Sequence, residues 1–236
     1  MILHGRRILV TGASRGIGAA VARVVAAAGA RTLLVARSAG PLQEMAASLA
    51  NAQAYPADLA DAAAVARLAA EAPERLGGPI EVLINNAGIF TLAPVTATDD
   101  ATIDAMLALN VAAPFRLLRA VLPAMRAAGT GHVITIGSVA DRTTFIENGL
   151  YAATKYGARA LHEVVRQELK GTGVRTTLIS PGPTDTPLWD PIAPDTRPGF
   201  TPRSGMLAPE SVADAVLWAL TRGDAVNIDE LRLSHT

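Results

Sequence analysis

Short runs of apolar and β-branched residues recur along the chain at positions 8–10, 32–35, 82–84, 133–136 and 176–179. The runs are apolar throughout instead of alternating, the pattern of strands covered on both faces. Between them lie longer stretches with helical spacing, at 17–28, 62–71, 103–126 and 151–169, although their alanine content blurs the apolar face. The alternation predicts βαβ units and a doubly wound α/β fold, a central parallel sheet of about seven strands with helices on both sides. Pro114 lacks an amide hydrogen and predicts a kink or junction in the third helical stretch. From about 181 to 209 the chain is dense in proline and glycine and has no clear period. That marks a long loop beside the sheet, either a lid over the site or a surface excursion.

With 236 residues, half of them apolar, the chain is long enough to bury a substantial core, and a single domain over 1–236 is expected. Lys plus Arg equals Asp plus Glu at 21 each, so no net field draws the protein toward nucleic acid or acidic lipid. No cysteine is present, which removes thiol nucleophiles and thiolate metal sites and fits a cytoplasmic protein. The first residues lack a signal peptide's order of segments, and Arg, Asp or Glu break the alanine-rich stretches, so no membrane association is expected. His4, His132, His162 and His235 are scattered without ligand spacing, and no metal is assigned.

Directly after the first strand comes Thr11-Gly12-Ala13-Ser14-Arg15-Gly16-Ile17-Gly18, followed by a helix. Glycines there let the backbone turn sharply and approach a pyrophosphate, while the helix N-terminus offers free amides and a favourable dipole. Asn85-Asn86-Ala87-Gly88 follows the fourth strand and Ser138 the fifth. Tyr151-Ala-Ala-Thr-Lys155 opens the next helix, and Pro181-Gly182-Pro183-Thr184-Asp185-Thr186 follows the sixth strand. In order and placement these motifs resemble the short-chain dehydrogenase/reductase family, in particular its NADP(H)-dependent carbonyl and 3-oxoacyl reductases, from about Arg6 to Leu233. The resemblance implies a Rossmann-type domain binding a nicotinamide cofactor. By the same resemblance Asp58 and Leu59 meet the adenine, the backbone from Asn85 through Ala87 to Gly88 lines the ribose, and Pro181, Gly182 and Thr186 hold the nicotinamide. Asp58 equally suits a helix cap. Thr184 stands where relatives often carry Val or Ile.

At the end of the second strand an NAD site commonly carries a carboxylate for the ribose 2′-hydroxyl. Here the chain reads Ala36-Arg37, with no acid until Glu44, and Arg15 lies in the glycine loop. Two guanidinium groups suit a 2′-phosphate, so NADP(H) is the expected cofactor; the alternative for each is a solvated surface charge.

Tyr151 and Lys155 are one helical turn apart, so both project from one face. A cation beside the phenol favours the phenolate form, which suits proton transfer with substrate. The family resemblance makes Ser138 the residue that holds the substrate oxygen. It makes Asn110 the fourth member of a tetrad, its carbonyl holding a water that relays protons from Lys155. The implied activity is hydride transfer between NADP(H) and a carbonyl or secondary alcohol. A non-catalytic NADP(H)-sensing protein on the same fold is the alternative, and decarboxylation, epimerisation or dehydration a third reading. The walls of the substrate pocket are expected from 90–93, 139–150 and the loop around Leu188, Trp189 and Phe200, mostly apolar. Arg142 either anchors a substrate anion or pairs with Asp141 or Glu147. The resemblance also implies a homodimer or homotetramer formed through the helices at 103–126 and 151–169.

Overall fold

The computed structural model describes residues 2–236. Seven strands, all parallel, form one sheet in the order β3-β2-β1-β4-β5-β6-β7. They are β1 (Arg7–Thr11), β2 (Arg31–Ala36), β3 (Ala52–Pro56), β4 (Val82–Asn85), β5 (Gly131–Ile136), β6 (Val174–Pro181) and β7 (Glu230–Leu233). Parallel strands require crossovers, and helices supply them: α1 (Gly16–Ala27), α2 (Ala39–Ala47), α3 (Ala62–Leu76), α4 (Asp100–Leu107), α5 (Ala113–Ala128), α6 (Gly149–Glu168) and α7 (Pro209–Leu220). This is the doubly wound arrangement the apolar runs predict.

Two cores result, one on each face of the sheet. Ile8, Val10, Leu34, Ile84 and Ile134 point to one side, against Val21 and Val25 of α1, Leu42 of α2 and Val216 of α7. Leu9, Leu33, Leu83 and Val133 point to the other, against Leu68 of α3, Leu117 and Val121 of α5 and Val165 of α6. Alternate residues of β1 thus enter opposite cores, which is why its sequence shows no polar face. Local chemistry sets the helix ends: the Asp61 carboxylate accepts from the Ala63 and Ala64 amides at 2.8 and 3.2 Å and so caps α3. Gly77 (φ 72°) and Gly129 (φ 64°) end α3 and α5 in the left-handed conformation.

The junction expected at Pro114 is a π-helical turn, Ala108–Ala112, joining α4 to α5. Proline has no amide for the carbonyl four residues before it, and that carbonyl belongs to Asn110. The rod Asp100–Ala128 is, among the described residues, long and apolar enough to cross a membrane by length and composition. In the fold it turns Leu117, Leu118, Val121 and Met125 into the core.

Two histidines lie in the interior, each with one ring nitrogen on a threonine hydroxyl: His132 Nε2 to Thr177 at 2.8 Å, and His162 Nδ1 to Thr135 at 2.9 Å. Burial, aided by Arg175, pushes His132 down to about 3, and burial, aided by Arg166, pushes His162 down to about 4. Both stay neutral in the folded chain, whereas an unfolded histidine takes up a proton below pH ~6.5. Their contribution to stability is full above that pH and is lost as pH falls toward the folded values. Together they are expected to remove up to ~2.7 kcal/mol of stability per pH unit between roughly pH 6 and 4.5. Urea midpoints across that range test this; His162→Asn should halve the slope, and an unchanged slope would mean that other groups set the acid limit.

Candidate functional site

The order of the sheet reverses between β1 and β4, where a crevice opens at the C-terminal strand ends. There the Thr11 hydroxyl donates to the Ile84 carbonyl and accepts from the amides of Asn86 and Ala87, at 3.0–3.1 Å. The Asn86 side chain returns the tie, donating to the carbonyls of Thr11 at 2.8 Å and Gly12 at 3.3 Å. This clamp leaves no room for a side chain at two positions of the loop beside it. A Cβ on Gly12, whose φ is +68°, would stand 2.7 Å from Asn86 Nδ2, and one on Gly18 would stand 2.1 Å from the Gly12 carbonyl. Thr11 and Asn86 are thus site-building residues whose roles the sequence alone does not reveal, although both stand within its motifs.

The loop is cut to admit a polar ligand backbone, and its surroundings agree. Ser14 is half-buried, and Gly16 and Ile17 open α1, with Gly16 lying beside the side chain of Thr186. Arg15 and Arg37 are exposed, follow the adjacent ends of β1 and β2, and enter no ion pair among the described residues. Leu59 is buried, while Asp58 is exposed and accepts from the Ala60 amide at 3.0 Å. The helix-capping role that Asp58 suits in sequence belongs to Asp61. Asn85 is buried with its Nδ2 unpartnered, in a hollow that Thr11, Leu59, Ala87, Asn110 and Lys155 also line. An orphaned donor, glycine positions closed to a Cβ and two unpaired arginines together fit a phosphorylated dinucleotide.

Ser138, Tyr151, Lys155 and Asn110 gather on the β5 side of this crevice. Ser138 follows β5 in extended backbone, its Oγ accepting from the Ala140 amide at 3.1 Å. Tyr151 lies in the first turn of α6, and Lys155 one turn later places its Nζ 5.7 Å from the phenol ring centre. The ammonium is held there by the Ile136 carbonyl, to which it donates at 3.1 Å. Asn110 sits in the π-turn, and its side chain grips the Ile89 backbone as a strand would, accepting from the amide and donating to the carbonyl, both at 2.9 Å. It also donates to Thr154 Oγ1 at 3.1 Å, and Thr154 donates to the Tyr151 carbonyl at 2.8 Å. Gly88 is part of the fit, since a Cβ there would press on Asn110 Oδ1 at 3.2 Å.

Behind Ser138 lies a buried carboxylate. Asp141 Oδ2 accepts from the Ser138 amide at 3.3 Å and the Ser180 hydroxyl at 2.5 Å, and Oδ1 accepts from Arg142 Nε at 2.8 Å. Arg142 reaches on to Glu230 of β7 at 2.5 Å, and Arg159 of α6 lies 3.8 Å from Asp141. Arg142 is therefore a structural partner of Asp141, and Glu147 pairs with Arg197 instead. Beyond Ser180, Pro181 is buried, and the Gly182 amide donates to Leu233 at 2.8 Å. Thr184 is buried and its hydroxyl donates to the Gly182 carbonyl at 3.0 Å. A bridge between Thr184 and Leu207 closes the neck of the following loop. That loop is ordered by short 3-10 turns and by Arg203, which pairs with Asp185, Asp190 and Asp195.

Comparison with known proteins agrees with this fold. Residues 6–197 match the family model for short chain dehydrogenases. An uncharacterised oxidoreductase of Staphylococcus haemolyticus is 33% identical over 231 residues, covering 97% of this chain and 96% of the relative. The crystal structure of a metagenomic short-chain oxidoreductase in complex with NADP superposes with a TM-score of 0.84 at 34% identity, covering 100% of this chain and 99% of that one. A closed form of serine dehydrogenase complexed with NADP+ superposes with a TM-score of 0.86 at 31% identity, covering 95% and 93% of the two chains.

Removing the buried carboxylate leaves Arg142 short of a partner and two donors unmet. Asp141→Ala is expected to cost about 3 kcal/mol, lowering Tm by roughly 6–12 °C. Thermal unfolding at pH 7 checks it, and a shift under ~2 °C would show the cluster to be energetically idle.

Proposed function

This chain belongs to the short-chain dehydrogenase family of oxidoreductases, and we propose that it is an NADP(H)-dependent reductase interconverting a carbonyl compound and its alcohol, with Tyr151 as acid and base. The observation that carries the reading is the Lys155 ammonium, anchored to the Ile136 carbonyl at the end of β5 and 5.7 Å from the Tyr151 ring centre, with Ser138 two residues beyond Ile136. The cofactor, when bound, supplies or accepts the hydride.

The chain's own residues manage the proton. Ser138 holds the carbonyl oxygen by donating its hydroxyl hydrogen, which accepting from the Ala140 amide leaves free. Tyr151 gives its phenolic proton to that oxygen in reduction and takes it back in oxidation. Lys155 holds positive charge behind the phenol, which favours the phenolate left after transfer. Asn110 fixes the Ile89 backbone with its side chain, and its carbonyl, which the Pro114 imino group cannot serve, is available to a water on the path to Lys155. Arg15 and Arg37 form a clamp for the 2′-phosphate, supported by the absence of any carboxylate partner for either among the described residues and by the NADP carried by similar solved structures.

The outer face of the paired helices supports a homodimer or homotetramer. Leu107 and Phe115 of the α4–α5 rod, and Tyr156 and Val164 of α6, are between 42% and 53% exposed. Sedimentation at micromolar concentration is expected to give twice or four times the chain mass; a monomer would refute this packing.

NADPH consumption with aldehydes, diketones, simple ketones and 3-oxo esters tests the activity. Tyr151→Phe is expected to lower kcat by about 1,000-fold while NADPH affinity, followed by fluorescence, changes less than about threefold. Retained turnover would remove Tyr151 from the mechanism. Wild type is expected to favour NADPH over NADH by about 100-fold in kcat/KM, and Arg37→Ala to erase at least about tenfold of it. Equal use of both cofactors would overturn the clamp.

A further inference from the structure

Four rings run outward from the proton donor. Tyr151 meets Phe90 edge to face at 4.6 Å between centres, Phe90 meets Trp189 at 5.1 Å, and Trp189 meets Phe200 at 6.4 Å. The wall of the approach to Tyr151 is therefore aromatic from the phenol to the far side of the 181–209 loop.

Four cations near this approach are already engaged. Binding a carboxylate or phosphate away from bulk water requires a guanidinium or ammonium to replace its hydration. Arg142 is turned into the Asp141 and Glu230 carboxylates with a side chain only 17% exposed. Arg197 pairs with Glu147 and stacks on Phe200, 4.7 Å from the ring centre. Arg203 pairs with three aspartates, and the hydrogen bond it donates to Asp185 raises its pKa, so it is firmly charged and firmly held. Lys155 lies behind the phenol and donates to Ile136. Around the mouth, the four carboxylates of Glu147, Asp185, Asp190 and Asp195 face the two guanidiniums of Arg197 and Arg203. The remainder is negative. At the opposite end of the crevice the balance is reversed, with Arg15 and Arg37 unpaired among the described residues.

We infer that the substrate is an uncharged aryl or alkyl aldehyde or ketone, or the corresponding alcohol, and that the mouth discriminates against carboxylates and against acyl thioesters carried on a phosphate-bearing arm. The inference rests on the reductase reading above and deepens it. Phe90 and Trp189 supply an apolar, edge-presenting wall for the substituent, and the acidic rim adds like-charge repulsion to the missing counter-ion.

A matched pair of substrates tests it: 4-formylbenzoate and its methyl ester, in which the ring separates the reacting aldehyde from the charge. With NADPH and the wild-type protein, kcat/KM for the ester is expected to exceed that for the carboxylate by at least about 30-fold. A preference under about tenfold, or one for the carboxylate, overturns the inference. Trp189→Ala is expected to raise KM for the ester at least about fivefold, and an unchanged KM overturns the role of the aromatic wall. If the wild type turns over neither compound nor any neutral carbonyl compound of the wider panel, the reductase reading itself fails. If it turns over neutral carbonyl compounds, loses that activity in Tyr151→Phe, and treats the pair alike, only the charge selection fails.

Discussion

One threonine hydroxyl ties the segments that leave the two central strands in the relation that the rest of the site requires. Thr11 closes β1 onto β4 with one donated and two accepted hydrogen bonds, at the point where successive crossovers turn to opposite sides. The β1–β4 pairing runs to Val10 and Ile84, and the hydroxyl carries the tie on to the backbone of Asn86 and Ala87, beyond the strand ends. With it, the Gly12 carbonyl lies so near Gly18 that only hydrogen fits between, and the first turn of α1 is brought up against the end of the sheet. The glycines follow from the clamp as much as from any ligand.

Two further polar knots carry positions far apart in the chain to one place. In the first, Asn110 joins the backbone after β4 to Thr154, and through it to the Tyr151 carbonyl, across 44 positions. In the second, Asp141 joins Ser138 to Ser180, 39 positions beyond it, and Arg142 extends the link to the edge strand β7. Each knot is buried, so its hydrogen bonds meet little competition from water and are costly to leave unmade. The side chains proposed to react, Ser138, Tyr151 and Lys155, are only partly buried, whereas Asn110 and Asp141, which orient their surroundings, are buried. This division lets a site made of flexible side chains keep a narrow geometry.

The interior strands are legible in the sequence because both of their faces are apolar, and at that length few elements besides a doubly covered strand carry such a run. The edge strand β3, Ala-Gln-Ala-Tyr-Pro, is not, since Tyr55 alone is buried and the rest is partly open to solvent. Helix α2 carries Gly40 and Pro41 in its first turn and gives no helical signal. The proposed tetrad stands out through spacing and resemblance, whereas the supports behind it do not. Asp141 beside Arg142 reads as a surface ion pair; only the fold shows a carboxylate with a fully buried side chain, since burial is a property of several segments at once. Pro114 reads as a helix breaker. Its more informative effect is on the Asn110 carbonyl one turn earlier, visible only once the helix is known to run through it.

The loop after β6 is tied mainly to itself. Its neck is pinned where Thr184 meets Leu207, and the three carboxylates that Arg203 grips all lie between the pinned ends. Such a loop is nearly a replaceable part: it reaches outward to Glu147 and Phe90, and its sequence and length can drift while the sheet and the glycine loop stay as they are. Selection for a new substrate can therefore act on a segment with little claim on the stability of the fold. A chain built this way is suited to diversify by exchanging its mouth while retaining its chemistry.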